Sequence, residues 1–181
     1  MKHVAAVIGG HYGDEGKGKI VDSLAEAYGA VMRFNGGPNA GHTVVVDGHR
    51  YKLHHIPSGI LHKNVVNLIG PGCVINPDKF IEEIAALRAN GIDLSNLRVS
   101  DRAHLILPKH VRDDEYSESE RNLGTTKQGI WPVYADKAAR RGIRVGDLFG
   151  PSASRWAAWK VEWKRAFELF VCDALDVIRD A

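Results

Sequence analysis

Short apolar runs alternate with glycine-rich turns and helical spacing along the first part of the chain. The run from Val4 to Ile8 is continuously apolar and ends at a glycine pair, as expected of a strand buried on both faces of a sheet. From Ile20 the apolar residues recur at helical spacing until Gly29. The pattern therefore predicts a strand, a glycine loop and a helix, in that order.

The following segments repeat this alternation. Residues 30–34 and 65–69 predict short strands, and the dipeptide Asp47-Gly48 between two further apolar runs is a strong hairpin signal. A helix is expected to start at Asn76, because a proline follows it and the next apolar positions share one face. We therefore predict an α/β domain with a mainly parallel sheet flanked by helices.

The rest of the chain is more polar and ends in an aromatic stripe. Residues 98–107 predict a further strand, and residues 110–123 predict a loop or an exposed helix. A second glycine-containing loop covers residues 124–132. From Trp156 to Ile178 the large apolar residues recur every three or four positions, which predicts a long amphipathic helix packed on the core.

Composition narrows the classes of protein. The 181 residues are 44% hydrophobic and 25% charged, as in a globular domain, and the formal net charge is +2. So small a charge argues against a nucleic-acid partner, and no apolar stretch approaches the roughly twenty residues of a membrane span. Cys73 and Cys172 have neither metal nor redox spacing, so we expect a reduced, cytoplasmic location.

The first glycine loop, residues 13–19, has the composition of a phosphate site. It opens the predicted helix, where backbone N–H groups and the helix dipole favour anions. The spacing fits a P-loop, except that Ile20 stands where a serine or threonine would bind magnesium, and the carboxylate of Asp14 can take that role. A plain glycine-rich turn with surface lysines is the alternative. The candidate residues are Gly13, Asp14, Glu15, Gly16, Lys17, Gly18 and Lys19.

A second loop, residues 35–43, carries amide, imidazole and hydroxyl groups beside glycines that let a ligand approach the backbone. His42 could stabilise a bridging phosphate oxygen, although a histidine taken alone is more often a partly buried structural residue. The candidate residues of this loop are Asn39, Ala40, Gly41, His42 and Thr43.

Three ordered motifs carry a resemblance to a known family. GDEGKGK at residues 13–19 and NAGHT at residues 39–43 resemble the opening motifs of adenylosuccinate synthetases, and residues 124–147 resemble that family's inosine monophosphate (IMP) segment. Residues 56–61 agree as well, so the resemblance covers nearly all of residues 3–149. It implies a P-loop-like nucleotide-binding architecture and a GTP-dependent ligase of purine biosynthesis, which joins IMP and L-aspartate to give adenylosuccinate, GDP and phosphate.

The resemblance also implies roles for single residues. Asp14 would be the base that deprotonates the purine ring, His42 the catalytic acid, and Lys17 a contact to the phosphates of the co-substrate GTP. The carbonyl of Gly41 would join Asp14 as a ligand of Mg²⁺.

Three further positions follow from the same resemblance. Asn39 and Thr126 match nucleotide-binding positions. Arg140 matches an arginine that reaches the IMP of the neighbouring subunit, which implies a homodimer. Without the resemblance, the pair Arg140-Arg141 would be assigned to solvated surface charge.

Several positions depart from the usual family sequence. Lys127 and Gln128 stand where glycine and arginine are common, and Trp131 replaces a second glycine. His11 and Tyr12 replace a usual glutamine and tryptophan. We expect the substrate contacts to shift at these positions.

Two alternatives to the IMP ligase stay open. Some phage relatives make 2-aminoadenylosuccinate from deoxyguanosine monophosphate (dGMP), and loss of the loop aspartate marks that activity, so the retained Asp14 favours IMP. Family members also run well beyond the length of this chain, so we expect residues 1–181 to form a single nucleotide-binding domain of a truncated fold. The second alternative is therefore an inactive nucleotide-binding fragment that needs a partner chain.

Overall fold

A parallel sheet of four strands lies at the centre of the protein in a computed structural model. The strands follow the spatial order β1 (Ala30–Arg33), β4 (Val66–Ile69), β6 (Leu97–Ser100) and β8 (Val171–Cys172), and neighbours are parallel. The structure describes residues 3–11, 13, 15–39, 41–46, 49–122, 124–149 and 161–172, without the side chains of His42, Val44, Val45, Val46 and His49. The predicted α/β class with a mainly parallel sheet is confirmed.

Two short sheets and a set of helices surround the central sheet. An antiparallel hairpin pairs β2 (His42–Val46) with β3 (His49–Leu53), as predicted, and a parallel pair joins β5 (Val74–Ile75) to β7 (His104–Leu105). The helices are α1 (Lys17–Tyr28), α2 (Pro77–Ala89), α3 (Pro108–Arg121), α4 (Ile130–Ala138) and α5 (Val161–Glu168), with 3₁₀ turns at Ser58–Leu61 and Val145–Leu148. In the part of the chain that the structure describes, no helix has the length and apolar character to cross a membrane.

Helix α2 begins and ends where its sequence predicts. The side chain of Asn76 accepts a hydrogen bond from the backbone N–H three residues later (3.2 Å), and Pro77 occupies the first turn. Gly91, with φ +74°, follows the end of the helix. The face between Phe80 and Leu87 is buried.

Aromatic rings join α2 to α5 in the core. Phe80 stacks on Phe167 with 4.9 Å between ring centroids and an interplanar angle of 8°, and Phe170 meets Phe80 edge-on at 6.3 Å. The indole N–H of Trp163 donates to Asp78 Oδ1 (2.9 Å). The described part of the aromatic stripe therefore packs in the core, as predicted.

The aromatic helix is shorter than its periodicity predicts. Helix α5 ends at Glu168, and the chain turns into β8 instead of continuing as helix. The N–H of Val99 donates to the carbonyl of Phe170 (2.8 Å), so pairing with β6 replaces helical hydrogen bonds at this point. The predicted extensions of the helix in residues 151–160 and 173–181 lie outside the described residues.

The predicted first strand is wrong. Residues 3–9 form no strand, and the side chains of Val4 and Ile8 are 96% and 77% exposed. A strand is stabilised by hydrogen bonds to a neighbour, and no described strand pairs with this segment. An apolar run alone therefore does not make a strand.

Two predictions for the second half of the chain also change. The strand predicted at residues 98–107 is two strands, because a turn after Ser100 sends the two parts into different sheets. Residues 110–123, predicted as loop or exposed helix, lie mostly in α3, which buries His110 and Asp114. A hydrophobic pattern cannot reveal buried positions that are polar.

Helix α1 buries Ala25 and is held in place by a histidine between two carboxylates. His62 Nε2 lies 3.0 Å from Asp22 Oδ1, and His62 Nδ1 lies 3.1 Å from Glu26 Oε1. Burial alone would lower the pKa of His62, but the hydrogen bonds to both carboxylates raise that pKa above its ordinary value. Charge at His62 therefore strengthens the docking of α1.

Candidate functional site

The loop before α1 has the backbone shape of an anion site. Gly13 (φ +133°) and Gly16 (φ +76°) adopt conformations that favour glycine. Gly16 caps α1 without a side-chain hydrogen bond, and the first turn of the helix has no acidic residue. The first N–H groups of the helix, at Lys17 and Gly18, are therefore donors suited to a phosphate. The predicted base, Asp14, lies outside the described residues.

Two charged side chains of this loop contact each other. The ammonium of Lys17 bonds to Glu15 Oε2, and the N–H of His11 donates to Glu15 Oε1 (2.9 Å). The hydrogen bond from Lys17 is the main reason that the pKa of Glu15 falls to about 2. Lys19 lies in the first turn of α1, where its N–H donates to the Gly16 carbonyl (3.0 Å). To contact a phosphate, Lys17 would exchange the carboxylate of Glu15 for phosphate oxygens.

A cavity of about 470 Å³ lies between the second loop, β3, the start of α2 and the third loop. This volume falls within the roughly 300–1,000 Å³ of small-molecule sites. The cavity brings together Asn39 and Thr126, two predicted nucleotide-binding residues from separate loops. Further polar side chains of its wall are those of Lys52, His54, Lys79, Glu82, Glu83 and Gln128.

Arg33 holds the second loop against the end of β3. Its Nη1 donates to the carbonyl of His54 and, at 3.3 Å, to that of His55, while Nη2 donates to the carbonyl of Gly37 (2.6 Å). A planar guanidinium with several fixed donors suits such a role. These contacts fix the loop that carries Asn39 relative to the hairpin.

A buried carboxylate supports the cavity wall. Glu83 accepts the backbone N–H groups of residues 54–56, at 2.8, 2.9 and 3.2 Å, and the Nδ1–H of His55 at 3.1 Å. His55 Nε2 accepts the N–H of Asn76 (3.1 Å), so the imidazole is neutral with its proton on Nδ1. Burial lowers the pKa of His55. Burial also opposes charge on Glu83, but hydrogen bonds from His55 and the backbone keep the pKa of Glu83 below its ordinary value.

Sequence reasoning missed Glu83, although a signal was present. Helical spacing places Glu83 on the face of α2 that carries Phe80 and Leu87, and a charged residue on an apolar face indicates a buried partner. Lys52 and Lys79 carry no comparable signal, because only the fold brings β3 beside the start of α2.

The third loop, residues 124–129, ends earlier than predicted, because α4 begins at residue 130. Lys127 has φ +54°, a backbone conformation that favours glycine, which accounts for the glycine common at this position in the resembling family. Gln128 Nε2 donates to the carbonyl of Thr126 (3.3 Å), and Gln128 Oε1 accepts from Lys79 Nζ. Gln128 therefore links the loop to α2 beside the cavity.

Several predicted site residues do not meet at the cavity. Arg140 is exposed with φ +58°, just after α4, and is absent from the cavity wall. The backbone of His42 opens β2 opposite Leu53, whereas its side chain, like Asp14 and Ala40, lies outside the described residues. The pairing of a catalytic base with a catalytic acid stays a prediction.

Gly41 and Thr43 flank His42 at the start of the hairpin. A Cβ atom on Gly41 would lie 3.1 Å from His54 Cε1, so the close approach of the ring favours glycine there. Thr43 is exposed. Because α1 packs against β2, the hairpin lies beside the helix that follows the first loop.

The predicted metal ligands are oxygen donors, the carboxylate of Asp14 and the carbonyl of Gly41. Mg²⁺ prefers such donors and often takes one or two protein ligands, with substrate phosphates completing its coordination. Among the described residues, no group of three or more His, Cys, Asp or Glu side chains is placed to hold a metal. Asp14 lies outside the described residues, so a Mg²⁺ site at the first two loops stays a prediction.

The sequence resembles a known protein family over most of its length. The sequence profile of adenylosuccinate synthetase matches residues 6–170. The chain belongs to the adenylosuccinate synthetase family. An adenylosuccinate synthetase from Shouchella clausii is 50% identical over 169 residues, which cover 91% of this chain and 40% of the relative. One from Listeria welshimeri is 54% identical over 145 residues, which cover 78% of this chain and 34% of the relative.

Solved structures of the family share the fold. The fully ligated adenylosuccinate synthetase of Plasmodium falciparum matches with a TM-score of 0.76 and 33% identity, over 93% of this chain and 46% of that one. The succinoaminodeoxyadenylate synthetase of cyanophage S-2L, bound to dGMP and to dATP as an energy donor, matches with a TM-score of 0.59 and 28% identity, over 79% of this chain and 41% of that one. The chain thus spans less than half the length of these relatives.

Proposed function

We propose that residues 1–181 form one nucleotide-binding domain that supplies the phosphate-loop and IMP-binding part of a GTP-dependent adenylosuccinate synthetase. The observation that carries this proposal is the cavity shared by Asn39 and Thr126. These residues come from different loops, and both match nucleotide-binding positions of the family. Lys52 and Lys79 on the same wall are cations that can contact a phosphorylated ligand, beside the carboxylates of Glu82 and Glu83.

The reaction would join IMP and L-aspartate in two steps. Asp14 takes the proton from N1 of the purine, which leaves negative charge on the 6-oxygen. That oxygen bonds to the γ-phosphorus of GTP while the bond from this phosphorus to its bridging oxygen breaks, and GDP leaves. The amino group of L-aspartate then bonds to C6, the C6–O bond breaks, phosphate leaves with its electron pair, and the nitrogen gives up one proton to the departing phosphate.

Residues of the first two loops would offset charge on the transferred phosphoryl group. His42 donates a hydrogen bond to its oxygens, and Lys17 with the first N–H groups of α1 holds the phosphates of GTP. Asp14 and Gly41 would hold Mg²⁺, which when bound neutralises phosphate charge.

A homodimer is part of the proposal. Arg140 matches an arginine that binds IMP, yet it lies away from the cavity of its own chain and is exposed. Both facts agree if Arg140 of each chain reaches the nucleotide of the other. The proposed location is the cytoplasm, because the two cysteines have neither metal nor redox spacing and the family's reaction belongs to purine biosynthesis.

Two other functions are alternatives. The similarity to a cyanophage enzyme bound to dGMP favours dGMP as an alternative substrate. The second alternative is an inactive nucleotide-binding fragment that needs a partner chain. The retained Asp14 places IMP ahead of dGMP.

A coupled absorbance assay tests the proposal. Purified chain is incubated with GTP, Mg²⁺, L-aspartate and either IMP or dGMP, and the Asp14→Ala variant serves as the control. Adenylosuccinate formed from IMP by the wild type alone supports the proposal. Product from dGMP alone supports the phage-type activity, and no product from folded protein supports the inactive fragment.

A further inference from the structure

Two carboxylates of α3 hold the two ends of the third loop. Glu118 Oε1 accepts the N–H of Gly124 (3.2 Å), and Glu118 Oε2 accepts the N–H of Thr125 (3.0 Å). Asp114 Oδ2 accepts the N–H of Gly129 (2.8 Å). Asp114 and Glu118 are four residues apart on a helix, so both side chains project from one face toward the same loop.

The end of the loop is also packed tightly on α3. Gly129 has φ +73°, and a Cβ atom there would lie 2.9 Å from the backbone of His110 and of Val111. The ring of His110 contacts Asp136 Oδ2 of α4 at 3.2 Å. Helices α3 and α4 therefore form a fixed support on which the loop rests.

Asp114 has a feature that packing alone does not explain. Its side chain is 1% exposed, and among the described residues Oδ1 has no hydrogen-bond partner. A buried carboxylate with so few partners is destabilising, so its position is better explained by the contact that Oδ2 makes with the loop.

The middle of the loop faces the cavity. Thr126 and Gln128 line the cavity, and the carbonyl of Thr126 accepts from the side chain of Gln128. Because Glu118 already occupies the N–H groups of Gly124 and Thr125, these two amides are not available to a nucleotide phosphate. The loop therefore presents Thr126 to the cavity between two fixed ends.

We propose that Asp114 and Glu118 are positioning residues that set Thr126 for nucleotide binding, an inference that rests on the proposed function. The pair acts as a clamp: one carboxylate fixes the start of the loop, the other fixes its end, and neither touches the ligand. The clamp also restricts the phosphate contacts of this loop to Thr126 and the residues after it.

The test compares Glu118→Ala with Glu120→Ala, an exposed position on the same helix. Alanine preserves the helix in both variants. In Glu118→Ala we expect hydrogen exchange at the Gly124 and Thr125 amides to accelerate at least tenfold, and the Kd for IMP to rise about tenfold with an unchanged thermal midpoint. Glu120→Ala should match the wild type in all three measurements.

Two results would overturn the clamp. One is wild-type amide exchange in Glu118→Ala, and the other is an IMP affinity equal to that of Glu120→Ala despite faster exchange. Failure of the wild-type chain to bind IMP would contradict the proposed function and the nucleotide-positioning role, while the exchange rates would still decide whether the carboxylate holds the loop.

Discussion

The first region of the chain, residues 3–34, and the central region, residues 53–149, have similar apolar patterns but bury them to different extents. Large apolar side chains remain exposed in the first region: Val4, Ile8, Ile20, Leu24, Tyr28, Met32 and Phe34. Most of the buried core belongs to the central region and to the α5 segment that packs on it. An apolar pattern therefore predicts which side chains can be buried, and the neighbours decide which ones are.

Helices α1 and α2 illustrate this difference in the burial of apolar side chains. Helix α2 packs Phe80 against Phe167 of α5, whereas α1 buries Ala25 and relies on His62 for its docking. The region with fewer buried side chains contains the phosphate loop, and ligand-binding segments are commonly drawn from the less stable parts of a protein. We therefore expect the stability of the protein to depend mainly on the central region.

The largest expected effect comes from Phe80. Replacing it with alanine removes the ring that stacks on Phe167 and should lower the free energy of unfolding by about 3–5 kcal/mol. Ile20→Ala on α1, where the side chain is half exposed, should lower it by less than about 1 kcal/mol. Urea unfolding measures both variants. Equal losses would contradict the contrast between the two helices.

The second-largest loss of stability is expected at Glu83. Glu83→Gln places an amide N–H₂ group among N–H donors and should lower the free energy of unfolding at pH 7 by roughly 2–4 kcal/mol. Glu82→Gln, the exposed neighbour on the cavity wall, is the matched control and should change it by less than about 0.5 kcal/mol. A loss of similar size in both variants would show that the buried hydrogen bonds contribute little.

The stability that His55 and Glu83 contribute to the central region should decrease as the pH falls. The pKa values of His55 and Glu83 are both lowered in the folded state, so each group binds protons more readily when the chain is unfolded. Their contribution to the free energy of unfolding should be complete above about pH 6.5. It should decrease as the pH falls below this value, because His55 binds a proton more readily in the unfolded chain. It should decrease further below about pH 4.3, where the same applies to Glu83. Urea midpoints that rise as the pH is lowered from 7 to 4 would contradict this assignment.

The two regions should also differ in the nucleotide that they bind, GTP in the first region and IMP in the central one. Lys17→Met removes the ammonium of the phosphate loop and should weaken GTP binding about tenfold or more while leaving IMP affinity within about twofold. Lys164→Met, at an exposed lysine of α5, serves as the control for loss of one positive charge. Calorimetric titration of each variant measures both ligands. Equal weakening of GTP and IMP by Lys17→Met would indicate a general structural effect.

The smallest expected effect concerns His62. Because the pKa of His62 is raised in the folded state, its contribution should be present below about pH 6.5 and disappear as the pH rises through the folded-state value. His62→Gln should therefore destabilise the protein by less than about 1 kcal/mol at pH 6 and have no measurable effect at pH 9. A loss that is constant with pH would mean that packing, not charge, docks α1.

Local signals explain which elements could be predicted from the sequence. Asn76 and Pro77 set the start of α2 through contacts within one turn, and Asp47-Gly48 indicated the hairpin. The strand expected at residues 4–8 failed because its formation depends on a neighbour distant in the sequence. The end of α5 failed for a related reason, since pairing with β6 draws the following residues into the sheet.

The residues of the candidate site also divide into those that the sequence predicts and those that only the fold reveals. Family motifs predicted Asn39 and Thr126, and the fold brings both to one cavity. Lys52 and Lys79 could not be predicted, because no sequence pattern relates a strand residue to the start of a distant helix. Glu118 could not be predicted either. It lies in a charged segment, and a hydrophobic pattern gives no information about hydrogen bonds.

Titration with IMP decides whether the cavity between Asn39 and Thr126 binds the nucleotide. We predict that the wild-type chain binds IMP, that Thr126→Val weakens binding about tenfold by removing one hydroxyl, and that Ser119→Ala on the exposed surface of α3 leaves the affinity unchanged. Wild-type affinity in Thr126→Val, or no binding of IMP by the folded wild-type chain, would contradict the assignment of this cavity to the nucleotide.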